Sequence, residues 1–184
     1  MRFIDEAIKV KMTERKKKDP IEEGLKLLHS TKEADQIKAL EIFRIKGDFV
    51  VIEPIVRVLN SKPSAELEDK IVNFLFDLTD SKAIPGIIDA IDNPDFRDLR
   101  AFLISIFWQS KLEPTDHIEF LVKHACYGNY HECLEVLTVI ENIDSPINEQ
   151  TIQFSLAEID AALEKSDQEK LKLLVSLKQI LENF

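Results

Sequence analysis

Residues 35–46 read DQIKALEIFRIK, residues 67–78 read LEDKIVNFLFDL, and residues 99–110 read LRAFLISIFWQS. Laid over one another at a step of 32 residues, they repeat one apolar triplet: Ala39, Leu40 and Phe43, then Ile71, Val72 and Leu75, then Leu103, Ile104 and Phe107. The spacing is helical rather than alternating. The segments that come before the triplets repeat too, with Leu25 and Leu28, Val56 and Leu59, and Ile88 and Ile91 at steps of 31 and 32. A looser fourth copy pairs Phe120 and Leu121 with Cys133, Val136, Leu137 and Ile140. Two such lines make the repeating unit a pair of helices. A lone pair cannot bury its apolar face, so the units are expected to stack side by side around a continuous core.

Outward from the triplets, helices are expected near 20–29, 33–46, 49–60, 64–79, 82–92, 95–110, 115–127, 130–142, 147–164 and 167–183. In the ninth, Ile152, Leu156, Ile159 and Leu163 form one face. The breaks carry start signals. Asn93-Pro94 and Ser145-Pro146 each set a capping oxygen before a proline whose missing N–H costs nothing in a first turn. Ser30…Glu33, Asn129…Glu132 and Ser166…Glu169 have the spacing of a capping box. Only four glycines occur, too few for a meander of tight β-turns.

The segment Ile52-Glu53-Pro54-Ile55-Val56-Arg57-Val58-Leu59 resembles the first helix of a HEAT repeat, with its proline and paired aliphatics. Ala83-Ile84-Pro85-Gly86-Ile87-Ile88-Asp89-Ala90-Ile91-Asp92 resembles it further, because it runs into an Asn93-Pro94-Asp95 turn. Arg97 or Arg100 stands where that family often has an arginine in the second helix. The resemblance covers residues 20–143, with 147–184 a degenerate repeat or cap. It implies an all-α, right-handed α-α solenoid of about four to five antiparallel pairs, of the HEAT/armadillo class. It also implies a scaffold or adaptor that binds protein or peptide partners on a concave face made by the second helices. The motif specifies architecture and hardly specifies function.

Charge narrows the partners. Seven Lys/Arg against four acids give residues 1–19 a net +3, so that a chain of net −10 leaves −13 on the remainder. A body of that sign repels phosphate backbones and anionic lipid, so neither nucleic acid nor membrane is the expected partner. The basic segment 1–19 reads as a solvated arm or a short helix. Two acids fall where the apolar core of a secretory signal would have to lie. No apolar run approaches the roughly 20 residues that span a bilayer. Cys126 and Cys133 are too few for a disulfide framework. The cytoplasm, with both thiols reduced, is the expected compartment.

Chemistry-bearing residues cluster once, at His117, His124, Cys126, His131 and Cys133. Residues two apart on a helix point about 200° apart, so His124 with Cys126, or His131 with Cys133, cannot share one ion. His117 and His124 share a face but stand roughly 10 Å apart. Core cysteines and surface histidines, with no metal and no cofactor, are therefore expected. No nucleophile elbow, phosphate-cradling loop or zinc-protease motif is legible, so no catalytic residue is assigned. One surface feature stands out. With Ile71, Phe74, Leu75 and Leu78 as a core stripe, Phe76 points away beside Asp69 and Asn73. Trp108, beside Ser105, and Arg44, beside Glu41, occupy the same repeat position. Aromatic residues and arginine anchor interfaces, so Glu41, Arg44, Asn73, Phe76 and Trp108 are the expected partner-binding residues. Two other readings carry this ridge: self-association through it, or an enzyme on a HEAT-like scaffold, such as a DNA glycosylase using Trp108 and Asp69. The acidic body opposes the second.

Overall fold

A computed structural model of the chain describes residues 19–46 and 49–184. The expected basic arm, apart from Asp19, lies outside the described residues. Among those residues helix makes up 79% and strand is absent. Ten α-helices follow in order: α1 (Pro20–Leu28), α2 (Glu33–Lys46), α3 (Ile52–Asn60), α4 (Ala65–Phe76), α5 (Ile84–Asp92), α6 (Arg100–Ser110), α7 (Ile118–Tyr127), α8 (Tyr130–Glu141), α9 (Glu149–Leu163) and α10 (Gln168–Leu181). Short 3-10 turns lead into α3, α5, α6 and α7.

Local chemistry starts these helices, with some shifts from the expected positions. Asp19 and Ser64 cap α1 and α4 through their side chains. At Asn129 the capping box forms: its side chain accepts the Glu132 N–H while the Glu132 carboxylate accepts the Asn129 N–H. Asn93 accepts the Asp95 N–H ahead of Pro94, but the turn it opens is 3-10 through Leu99, and the α-helix begins only at Arg100. The expected cap at Ser145 moves to Asn148, and that at Ser166 moves to Asp167, which accepts from both Glu169 and Lys170. Ser166 instead donates back to the Ala162 carbonyl, and Ser30 donates to Asp35. At α9 and α10 it is thus a nearby Asn or Asp, not the serine, that accepts the orphan N–H groups.

The helices fall into two compact units, each described by itself: α1 with α2, and α3 through α10. In the first unit α1 packs on α2 around Leu28, Ala39, Leu40 and Phe43. Gly24 lies under the Phe43 ring, where a β-carbon would come within 2.5 Å of it.

In the second unit the even-numbered helices form a continuous row, with α4 on α6, α6 on α8, and α8 on α10. The odd-numbered helices pack as α3 on α5 and α7 on α9. Each odd helix also packs on the even one that follows it. The repeated triplets sit at the centre: Ile71, Leu75, Leu103, Ile104 and Phe107 are buried, while Val72 is half-buried. Leu78 lies past the end of α4 and is half-buried. On α9 the buried line runs through Ser155, Ile159 and Ala162, with Ile152, Leu156 and Leu163 half-buried beside it. Arg57 ties two pairs together: it lies 5.3 Å over the buried Phe96 ring and 3.6 Å from Asp95, while Asn60 donates to the Asp95 carbonyl.

Candidate functional site

Among the expected partner-binding residues, Phe76 and Trp108 are brought onto the row of even-numbered helices. Phe76, the last residue of α4, meets Phe102 of α6 with ring centroids 5.7 Å apart and the rings tilted by 41°. Trp108, near the end of α6, donates its indole N–H to Glu135 of α8 at 2.8 Å. Both aromatics are half-buried, not standing free. The reason is visible in α6 itself, where Leu103 through Phe107 are all buried. A helix buried on nearly every side has no outward stripe of the usual width, so Trp108 meets the next even helix as well as solvent. Ser105 is buried with its hydroxyl on the Phe102 carbonyl, whereas Asp69 and Asn73 are exposed. Arg44 and Glu41 are exposed on α2, in the other unit.

Below Trp108 the chain is tied by Glu113. Its carboxylate accepts the backbone N–H groups of Ser145 at 3.2 Å and Asp144 at 3.4 Å, holding the α8–α9 connection against the α6–α7 connection. The hydrogen bond from the Ser145 side chain, with the two backbone donors, holds the Glu113 carboxyl below its usual range against a smaller effect of burial. Trp108, Lys111, Asn142 and Asp144 border a small cleft of about 210 Å³ beside this tie.

A second feature lies between α5 and α7. These two helices do not pack along their lengths as α3 with α5 and α7 with α9 do. The gap is a cleft of about 320 Å³ bordered by Asp92, Arg100, Phe120, Lys123, His124, Tyr127 and Glu132. At its base Glu132 is buried, with one carboxylate oxygen 3.2 Å from His124 Nδ1 and the other on the Asn129 N–H. Burial pushes the Glu132 carboxyl up; the His124 hydrogen bond, the Asn129 N–H and the charges of His124 and Arg100 together outweigh it and hold it below the usual range. Gly128 is required here, because a β-carbon would run into the Glu132 carboxylate and the His124 carbonyl. The end of α7 is closed from α10: the buried Lys170 donates to the Cys126 and Gly128 carbonyls at 2.7 and 2.6 Å.

The histidines and cysteines separate into distinct roles. Cys126 and Cys133 are buried and free. Burial pushes their thiols up to about 12 and about 11, so neither is a thiolate at neutral pH. His124 belongs to the Glu132 pair, His131 is exposed against Tyr130, and His117 ends the 3-10 turn before α7. Among the described residues no three of His, Cys, Asp or Glu converge to hold a metal ion.

The fold and these contacts define an all-helical protein whose helices pack against their neighbours within each unit. No family model matches the chain, and no curated protein or solved structure does. Among the described residues no helix is long and apolar enough to cross a membrane. The α5–α7 cleft escaped the sequence reading, although two signals for it are there. Arg100 was noted only for its place in the repeat. Phe120, Lys123, His124 and Tyr127 fall at i, i+3, i+4 and i+7, a helix stripe in which aromatic and basic residues replace aliphatic ones.

Proposed function

We propose that α3 through α10 are a HEAT-like, right-handed α-α solenoid, and that the chain is a non-catalytic protein-interaction or scaffold module. Its partner is a protein or peptide that lies along the row of even-numbered helices. The observation that supports this reading is the unbroken packing of α4, α6, α8 and α10, with half-buried Phe76 and Trp108 and exposed Asn73 along it. Half-buried aromatics held in place from one edge lose little conformational freedom on binding, which is what an anchor residue needs. The −13 carried outside residues 1–19 favours a partner with a neutral or basic contact surface along that row.

The test is capture of partners from the native host by the tagged chain and by a Phe76→Ala/Trp108→Ala variant whose helix content is verified by circular dichroism. A partner held by the first and lost by the second supports the reading. An identical set of partners on both would refute the assignment of this face.

A further inference from the structure

The cleft between α5 and α7 holds an arginine that makes no ion pair among the described residues. Arg100 is half-buried at the first position of α6. Its Nε donates to the Ile91 carbonyl at 3.0 Å, which fixes the guanidinium plane and leaves both Nη groups over. In a chain with 34 acids, no carboxylate among the described residues lies within ion-pair distance of it. Glu132 feels the Arg100 charge, but its two oxygens are taken by His124 and by the Asn129 N–H. A half-buried guanidinium with both Nη groups free gains most from a carboxylate brought within ion-pair distance.

The walls of the cleft match this. The stripe Phe120, Lys123, His124 and Tyr127 faces a helix, α5, that does not pack along it. Lys123 is exposed and makes no ion pair among the described residues. Phe120 and the His124 ring meet edge to face at 4.8 Å, and the Tyr127 hydroxyl is anchored on Glu158 of α9 at 2.7 Å, so the aromatic wall is pre-set. Asp92 is the one carboxylate on the opposite rim.

We infer that the α5–α7 cleft is a binding site for an acidic side chain of a protein or peptide partner. Its carboxylate is clamped by the two Nη groups of Arg100, with Lys123 beside it and the partner's flanking backbone against Phe120 and Tyr127. A planar carboxylate satisfies two parallel guanidinium donors at once, which a single hydroxyl or amide oxygen cannot do. This site is separate from the Phe76–Trp108 row, so the loss of either leaves the other testable.

The experiment titrates the full isotope-labelled chain with two pools of acetylated, amidated hexapeptides, one carrying a central Glu among neutral residues, the other Gln at that place. The backbone amide resonances of Arg100, Lys123, His124 and Gly128 are followed by NMR. The Glu pool is expected to shift them and the Gln pool to leave them in place. Arg100→Gln should weaken the Glu-pool binding at least about tenfold, the loss of one bidentate charge-assisted pair. Because Arg100 also caps α5, the exposed Lys123→Gln is the second variant, expected to weaken binding several-fold with the fold intact. Adding salt should weaken binding as well. Equal shifts from both pools, no shifts from either, or unchanged binding in Lys123→Gln and Arg100→Gln would overturn the assignment.

Discussion

Replacing Trp108 by alanine separates an interface residue from a core one, and the structure sets the size of the effect. An indole on an outward helix face should cost less than about 1 kcal/mol when truncated. A fully buried one should cost about 3–5 kcal/mol. Trp108 is half-buried, so about half of the packing loss applies, and its N–H bond to Glu135 adds about 0.5–1.5 kcal/mol. We expect Trp108→Ala to cost about 2–4 kcal/mol and Trp108→Phe, which keeps most of the ring, about 0.5–1.5 kcal/mol. Urea unfolding followed by far-ultraviolet circular dichroism measures both. Trp108 is the only tryptophan in the chain, so its emission isolates the transition of the second unit in the parent and in Glu135→Ala. A double-mutant cycle between Trp108→Phe and Glu135→Ala should show coupling of the same size as the hydrogen bond. A cost under about 1 kcal/mol for Trp108→Ala would mean that the ring stands in solvent, and one above about 4 kcal/mol would place it in the interior. Either refutes the half-buried anchor, and zero coupling refutes the Glu135 bond.

Three further outcomes follow from other contacts. Lys170→Met leaves the Cys126 and Gly128 carbonyls without their donor and should destabilise the second unit by about 2–4 kcal/mol, with a loss under about 0.5 kcal/mol counting against the cap. Glu132 has its folded pKa below the unfolded one, so its stabilisation is present above the ordinary glutamate range and lost as pH falls through the folded value. The stability gap between the parent and Glu132→Gln should therefore be open at pH 7 and close below about pH 4; a gap constant over that range refutes the pairing. The thiols at about 12 and about 11 should resist a disulfide reagent at pH 8 in the native chain and react fully once it is unfolded in urea. Labelling of the native protein at the rate of a free cysteine would contradict their burial.

How much of this was legible in the residues differs from element to element. All ten helices could be placed, because each satisfies its own backbone locally and advertises its buried side through apolar spacing. Their ends were harder. The caps fall at Asn148 and Asp167 rather than at Ser145 and Ser166, a choice between nearby residues that rests on single hydrogen bonds. The 3-10 course of Pro94–Leu99 was likewise not visible, since it is set by burial of Phe96 beneath Arg57. The candidate surface shows the same division. A one-helix projection aimed Trp108 outward and could not know that Glu135, 27 residues on, reaches it.

By itself, then, the sequence determined what depends on neighbours along the chain: helical class, the 32-residue repeat, the buried triplets and the capping box at Asn129. Tertiary structure alone decided what depends on distances between helices. It drew α6 and α8 together while α5 and α7 remained apart, and so left Arg100 without an ion pair among the described residues. It also brought Lys170 to the end of α7 across more than 40 residues. Helix formation is a sum of local terms, whereas the separation of two helices reflects every side chain between them. A repeat that fixes the first leaves the second free to vary from pair to pair.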